Sequence, residues 1–312
     1  PMIESGGFRG ESKASYLRQI DKSQGHWVAP WTVIDVPPGA QVLRLAAEAE
    51  TAAGAAGIAY PIVVKPDIGA SGYGVRLVHD THELVDYLAA YPPGQKLMLQ
   101  AFVPWSGEAG IFYVRQPGDA CGRIYSLGLR YHPFVVGDGR SPLRELILAD
   151  PRLSRRAKLY FANFEPRLSE VPATGEPVRL ATVASLRVGS LYRDGAAHVT
   201  DVLTKRLDGI ARTMPEFYYG RFDVRFCTIE GLERGEDFRI IEINGAGAEA
   251  IHVWDPDLSI GMAYRTWFDQ HEILFAIGAR NRERGFRPMT LRQIIAMQWK
   301  ESRLLRSYPE SN

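Results

Sequence analysis

The chain has 312 residues, of which 46% are hydrophobic and 23% are charged, as in an ordinary soluble globular protein. Its formal net charge of +1 gives no electrostatic indication of nucleic-acid binding. The two cysteines, Cys121 and Cys227, have no paired spacing, which argues against a zinc site or a disulfide framework. This cysteine usage, without an apolar run of membrane-spanning length or a signal peptide, predicts a cytoplasmic location.

The first elements predicted along the chain are two helices separated by an extended segment. Ser12 has the features of a helix N-cap, and Lys13 to Gln24 is expected to form the helix. Residues 28–34 are expected to be extended, and the Ala- and Glu-rich residues 40–56 predict the second helix. Because the chain begins with Pro1 rather than Met, we leave open whether an N-terminal region precedes it in a longer protein.

Residues 58–80 predict a β-hairpin with a glycine-rich loop. Tyr60 to Val64 is a short apolar run typical of a buried strand, and Gly74 to His79 predicts the returning strand. Glycines let backbone N–H groups approach an anion closely, and Lys65 adds a positive charge at the end of the first strand. The hairpin therefore predicts a phosphate-binding site, with an ordinary flexible loop as the alternative. The loop contains Gly69, Ser71, Gly72 and Gly74.

The rest of the chain alternates between strand and helix patterns. Residues 150–180 are charged, contain proline and are weakly periodic, so we interpret them as either disordered or a lid. The other predicted elements, in order, are a helix over 81–90, strands over 96–103 and 107–114, a strand pair over 123–136, a helix from about 142 to 149, two strands within 183–199, a helix over 200–212, strands over 220–230 and 237–245, and helices over 264–284 and 290–306.

Two alternating sequences, RFDVRF and FRIIEIN, carry a cluster of charged side chains. With a period of two residues, Arg221 and Asp223 share one face of their strand, and Glu242 and Asn244 share one face of theirs. An antiparallel pair would bring the oxygens of Asp223, Glu242 and Asn244 together, and Mg²⁺ prefers such oxygens. Arg221 would then face developing negative charge. The alternative is a solvated hairpin with interspersed charges.

Taken in this order, the motifs resemble the ATP-grasp superfamily, and within it the carboxylate–amine ligases similar to D-alanine–D-alanine ligase. The resemblance covers about residues 12–250 and implies an α+β fold, in which two α+β subdomains grip ATP between antiparallel sheets. On this basis we expect an N-terminal linker and helix over 1–30, a small lid subdomain over 31–105, a large subdomain with the Mg²⁺ site over 106–254, and a C-terminal helical extension over 255–312.

The resemblance also implies roles for individual residues in binding ATP. Lys13 matches the first ATP-contacting lysine, with Lys22 as an alternative of equally reasonable spacing, and Lys65 matches the second. Glu108 matches the acid that holds the ribose. The loop residues Ser71 and Gly72 match the phosphate loop, and Gln100, Ala101 and Phe102 match the adenine-binding hinge, where an acid often stands in place of Gln100.

For catalysis, the resemblance implies an acyl-phosphate route in which ATP phosphorylates a carboxylate and an amine then attacks, giving an amide, ADP and phosphate. Arg221 matches the catalytic arginine, and Asp223, Glu242 and Asn244 match the ligands of Mg²⁺, for which two ions are expected and Mn²⁺ is an alternative. Residues 137–146 resemble a stretch of cyanophycin-synthetase-like ligases, which favours amino acids or peptides as substrates.

Several alternatives remain open at this stage. An ATP-grasp phosphotransferase or ATPase would turn over ATP without forming an amide. A nucleotide-binding regulatory module would have no need of intact metal ligands. Related ligases are often dimers and often carry an additional N-terminal domain, so a homodimer and a preceding domain are both kept as expectations, whereas nucleic acid is not expected as a partner.

Overall fold

The computed structural model describes residues 6–8 and 10–311, which form an α+β structure built on antiparallel sheets. The strands are β1 (Trp31–Val36), β2 (Ile62–Pro66), β3 (Arg76–Val78), β4 (Gln95–Ala101), β5 (Gly107–Val114), β6 (Arg123–Tyr131), β7 (Phe134–Val136), β8 (Pro177–Arg179), β9 (Leu191–Asp194), β10 (Tyr219–Phe226) and β11 (Phe238–Asn244). The α-helices are α1 (Lys13–Leu17), α2 (Val42–Ala55), α3 (Thr81–Ala90), α4 (Leu143–Ala149), α5 (Ala157–Phe164), α6 (Asp201–Ala211), α7 (Ile229–Glu233), α8 (Ile260–Glu283) and α9 (Leu291–Leu305).

The first sheet has the strand order β1-β4-β2-β3 and packs against α2 and α3. The predicted hairpin is confirmed, because Ile62 of β2 pairs with Val78 of β3 in an antiparallel register. Tyr87 of α3 is buried in this core and donates a hydrogen bond from its hydroxyl to the carbonyl oxygen of Gly74, at 2.7 Å. The helix therefore fixes the point at which the glycine-rich loop enters β3.

The second sheet has the strand order β11-β10-β5-β6-β9, and its two faces belong to different cores. Ile111 of β5 and Phe222 of β10 point into a core that contains residues of α6. Phe112 and Tyr219 point the other way and pack with Ile277 of α8. This alternation follows from the period of two in a strand, and it leaves the α8 side of the sheet to carry the charged residues of β10.

Three local predictions from the sequence are wrong. The helix predicted to run from Lys13 to Gln24 ends at Leu17, because Asp21 starts a new 3₁₀ turn by accepting a hydrogen bond from the backbone N–H of Ser23. The strands β6 and β7 do not pair with each other; β6 pairs with β5 and β9, and β7 pairs with β8. Pro133 lies between β6 and β7 and has no N–H group to continue the ladder. Residues 183–199 contain one strand, β9, rather than two.

The segment 150–180 is folded rather than irregular. It contributes α5 and β8 to a small core with α4, centred on the buried side chains of Ile147, Tyr160 and Leu180. Tyr160 also donates a hydrogen bond to the carbonyl oxygen of Val188, which ties this unit to the residues that lead into β9. The helical C-terminal segment is as predicted, and Thr290 begins α9 with a capping box. No helix of the described ranges has the length and apolar character needed to cross a membrane.

Candidate functional site

A cleft of about 550 Å³ lies between the two larger sheets. Its walls come from β2, β4 and the glycine-rich loop on one side, and from β5, β6, β10 and β11 on the other. Lys22 is exposed on the surface and does not line the cleft. All the other residues predicted from the sequence do: Lys13, Lys65, Ser71, Gly72, Gln100, Ala101, Phe102, Glu108, Arg221, Asp223, Glu242 and Asn244.

Lys13 reaches the cleft because α1 docks on the residues that follow β2. The backbone N–H groups of Lys13 and Ala14 donate to the carbonyl and carboxylate oxygens of Asp67, both at 2.9 Å. From this anchored position the ammonium Nζ of Lys13 donates to the carbonyl oxygen of Gly69 at 2.6 Å and lies 3.5 Å from Oε1 of Glu242. Lys13 therefore connects the glycine-rich loop with a carboxylate of the second sheet.

Lys65 is buried at the centre of the cleft wall. Its ammonium donates to Oε1 of Gln100 at 2.8 Å and to the carbonyl oxygen of Ile241 at 2.9 Å. Burial lowers the pKa of Lys65 to about 8, although the nearby charge of Glu242 acts in the opposite direction. The side-chain amide Nε2 of Gln100 is buried and has no hydrogen-bond partner among the described residues. A donor of this kind points to a polar ligand in the cleft.

The glycine-rich loop is held by contacts from outside the first sheet. Gly74 has a φ of +69°, and a Cβ at this position would meet the Cγ of Pro66 at 2.7 Å, so only glycine fits there. Arg187 donates to the carbonyl oxygens of Ser71 and Gly72, both at 3.3 Å. The hydroxyl of Ser311, at the C-terminal end of the described chain, also donates to the Gly72 carbonyl oxygen, at 2.5 Å. Arg187 and Ser311 therefore hold the loop in place through its carbonyl oxygens.

The register of β10 and β11 places the predicted metal ligands together. Asp223 lies directly opposite Glu242, and Arg221 lies opposite Asn244. Arg221 forms a two-point contact with the Asp223 carboxylate, at 2.6 Å and 3.2 Å, and its remaining nitrogen donates to the carbonyl oxygen of Glu249. Asn244 donates from Nδ2 to Asp223 at 3.2 Å. Arg221, Asp223 and Asn244 therefore form one hydrogen-bonded cluster, and Glu242 lies next to it on β11.

Arg130 of β6 is a central residue of the cleft that the sequence reasoning missed. It is buried and lies 2.9 Å from Asp223 and 3.2 Å from Glu108, so it connects the two carboxylates. Burial alone would raise the pKa of Asp223, but the guanidinium groups of Arg130 and Arg221 hold it below its ordinary value. The second oxygen of Glu108 lies 3.6 Å from Nε of Arg225.

Glycines in the second sheet make room for this cluster. Gly110 pairs with Asp223 across β5 and β10, and a Cβ at Gly110 would lie 2.8 Å from the Cδ of Arg221. Gly128 of β6 pairs with Gly110, and a Cβ there would lie 2.5 Å from Ile251. The signal for this space in the sequence is a glycine in each of two adjacent strands, Gly110 in β5 and Gly128 in β6. The pairing of the strands must be known before the two glycines can be connected.

The donor set of this cluster fits a hard divalent cation that is bound together with phosphates. Among the described residues, no group of three or more His, Cys, Asp or Glu side chains is placed to hold a metal ion. Two facing carboxylates, Asp223 and Glu242, and the amide of Asn244 are nevertheless present. Mg²⁺ is commonly bound by one or two carboxylates plus substrate phosphates, so this smaller set is sufficient when a triphosphate supplies further oxygens.

The first part of the chain is similar to a known family model. Residues 21–93, which run from before β1 to the end of α3 and include the glycine-rich loop, match the family model described as "Carbamoyl-phosphate synthase L chain, ATP binding domain". None of the curated protein sequences compared matches this chain at a significant level.

Several solved structures are similar to this chain at low sequence identity. A bifunctional glutathione synthetase from Pasteurella multocida is 14% identical with a TM-score of 0.39, over 77% of this chain and 33% of that one. A D-alanine–D-alanine ligase from Bacillus anthracis is 12% identical with a TM-score of 0.47, over 88% of this chain and 69% of that one. The D-Ala:D-Ser ligase VanG from Enterococcus faecalis is 13% identical with a TM-score of 0.44, over 83% and 61%. The chain thus spans one third of the synthetase and about two thirds of each ligase.

Proposed function

Because this chain has an ATP-grasp fold, we propose that it is an ATP-dependent carboxylate–amine ligase that forms an amide or peptide bond and releases ADP and phosphate. The observation that supports this most is that all twelve site residues predicted from the sequence line one cleft between two antiparallel sheets. Cations line both sides of the cleft, which suits the phosphates of a nucleotide. They are Lys13, Lys65, Arg130, Arg187, Arg221 and Arg225, and the cleft is also lined by the carboxylates Glu11, Glu108, Asp223, Glu242, Glu249 and Glu301.

The proposed nucleotide site uses residues of both sheets. Lys13 and Lys65 would hold the phosphates of ATP, with backbone N–H groups of the loop at Ser71 and Gly72 covering them. The unpartnered Nε2 of Gln100 would donate to the adenine ring, beside the hinge residues Ala101 and Phe102. Glu108 would accept hydrogen bonds from the ribose hydroxyls while it remains paired with Arg130.

For the chemical steps, Arg221 is the proposed catalytic residue and Arg130 a positioning residue. Mg²⁺ held by Asp223, Glu242 and Asn244 would neutralise charge on the transferring phosphate. The contact between Arg221 and the Glu249 carbonyl oxygen orients its guanidinium group into the cleft, where it would stabilise the oxyanion formed as the amine attacks. Arg130 of β6 fixes the Asp223 carboxylate through their contact at 2.9 Å.

We further propose that residues 31–105 act as the small subdomain and residues 106–254 as the large one, with 255–312 as a C-terminal extension. The substrates proposed are amino acids or small peptides. A phosphotransferase or ATPase with the same cleft would show a different requirement for substrates, since it would turn over ATP with a carboxylate alone or with none.

The proposal is tested by Mg²⁺-dependent phosphate release from ATP across a panel of amino acids and dipeptides, alone and in pairs. We expect release that requires a pair, with ADP as the product and an amide detected by mass spectrometry. Glu242→Gln should abolish turnover, whereas Glu236→Gln, an exposed carboxylate outside the cleft, should leave it unchanged. Phosphate release without an amine would contradict the ligase proposal. Full activity in Glu242→Gln would contradict the metal site.

A further inference from the structure

Helix α8 carries an apolar surface that the rest of the described chain does not cover. One face of the helix packs on the second sheet, through the buried Gln270 and Ile277 and the half-buried Ile273 and Leu274. A separate set of large apolar side chains of α8 is between 46% and 76% exposed. We call this set the α8 stripe; it consists of Ile260, Tyr264, Trp267, Phe268 and Phe275.

The α8 stripe is a single continuous seam. At about 100° of rotation per residue, its five members fall within about 100° of one another on the helix, and their centre lies about 120° from the centre of the buried face. The rings along the seam are also in contact: Trp267 lies edge-on to Phe268 at 5.7 Å and against His271 at 4.3 Å. Residues scattered singly on a surface need no explanation, but a seam of this kind does.

The exposed area of the seam is close to what one half of a stable protein interface requires. If each side chain offers about 200 Å² and the exposed fractions are applied, the α8 stripe presents about 600 Å² of apolar surface. A standard interface buries about 800 Å² on each partner, and monomers rarely expose apolar patches larger than a few hundred Å².

The charges beside the seam indicate what covers it. Arg265 and Glu272 are exposed on the side of the α8 stripe away from the core, and neither has an ion-pair partner among residues 6–8 and 10–311. They are seven residues apart on the same side of the helix. If two copies of α8 pack antiparallel about a two-fold axis midway between these residues, Arg265 of each copy meets Glu272 of the other. An anionic membrane would instead favour cations alone along this edge.

We propose that the α8 stripe is the interface of a symmetric homodimer, in which the occupant of the seam is α8 of a second copy of this chain. The two ion pairs between Arg265 and Glu272 set the antiparallel register, and the aromatic seam supplies the buried area. The proposal does not depend on the function assigned to the cleft, since it rests only on the outer surface of α8.

The same helix connects this interface with the cleft. On the inner face of α8, Gln270 donates to the carbonyl oxygen of Ala248 at 2.8 Å and accepts from the backbone N–H of Ala250 at 2.9 Å. Residues 245–250 follow β11, and Gly245, Gly247 and Glu249 line the cleft. A partner helix on the outer face would therefore stiffen the element that positions this side of the site.

The test measures the molar mass of the full chain in solution by light scattering and sedimentation, from about 0.1 to about 50 µM. We expect about 70 kDa, twice the 34.8 kDa of one chain. Phe268→Glu should give the monomer mass, with an unchanged far-UV circular dichroism spectrum. A matched control is Val202→Glu, an exposed apolar residue of α6 outside the seam, which should remain dimeric.

Charge exchange tests the register separately. Arg265→Glu and Glu272→Arg should each raise the dissociation constant of the dimer at least several-fold, and the double variant should restore it. A monomer at all concentrations, a dimer that survives Phe268→Glu, or no rescue in the double variant would overturn the proposal. Binding of a monomeric wild type to phosphatidylglycerol vesicles, lost in Phe268→Glu, would also overturn it and assign the stripe to a membrane surface.

Discussion

The perturbed ammonium of Lys65 leads to a prediction about proton uptake. This group is buried, donates to Gln100 and to the Ile241 carbonyl oxygen, and has a pKa lowered to about 8 by desolvation. If the phosphates of ATP bind beside it, their negative charge favours the protonated form, so binding must draw a proton from solution whenever Lys65 is neutral beforehand. Replacement by arginine keeps the positive charge and removes the titration, because a guanidinium group stays protonated in this pH range.

The size of the effect follows from the pKa. With a value of about 8, Lys65 in the free protein is neutral in about a tenth of molecules at pH 7, about half at pH 8 and about nine tenths at pH 9. Proton uptake on ATP binding should therefore rise from about 0.1 to about 0.9 per site over this range. By linkage, the affinity for ATP is nearly constant below pH 7 and falls about tenfold between pH 7 and pH 9. Phosphate groups themselves titrate lower, with a second pKa near 6.

The assay is titration calorimetry of ATP binding at each pH in two buffers of different ionisation enthalpy, which gives the number of protons taken up. The wild type should show the rise described, whereas Lys65→Arg should bind ATP with no pH-dependent uptake between pH 7 and pH 9. Equal uptake in Lys65→Arg would assign the proton to another group. Constant uptake in the wild type would refute the placement of Lys65 beside the phosphates.

Three further predictions concern residues around the cleft. Arg130→Met should lower the free energy of unfolding by about 3 kcal/mol in urea titrations, because it leaves Glu108 buried without its nearest cation. Gly110→Ala should reduce turnover by displacing Arg221, whereas Gly209→Ala, on α6 with open space around it, should not; equal losses would contradict this reading of the site. Gln270→Leu should lower the unfolding free energy by about 1–3 kcal/mol through the lost hydrogen bonds to Ala248 and Ala250. An unchanged unfolding free energy would show that other contacts hold residues 245–250.

The sequence was sufficient to predict features that depend on neighbouring residues in one hairpin. The pairing of β10 with β11 follows from two alternating segments that are close together in the chain, so the meeting of Asp223 with Glu242 could be predicted without a structure. The same holds for β2 and β3. Ser12 was also predicted correctly as an N-cap, because a cap is a local signal.

Features that depend on distant segments could not be predicted in this way. Arg130 reaches Asp223 because β6 and β10 lie on either side of the same strand, β5. That strand order cannot be predicted from a single sequence. The residues 150–180 looked irregular because their apolar positions are completed by α4, which lies before them in the chain. The helix α1 ends early because the Asp21 side chain starts a new turn, a competition that helical periodicity alone does not reveal.

The pairing of charges within the cleft suggests that nucleotide and metal binding depend on each other. Lys13, which is proposed to bind phosphate, lies beside Glu242, while Arg221 and Arg130 both contact Asp223, so the two proposed metal-binding carboxylates are paired with cations of the cleft. A buried charge is costly unless it is paired, and these contacts meet that requirement within the protein. A triphosphate that drew Lys13 away would leave Glu242 in need of a positive charge, and a divalent cation would supply it. Each ligand should therefore raise the affinity of the other by the same factor, as reciprocal linkage requires.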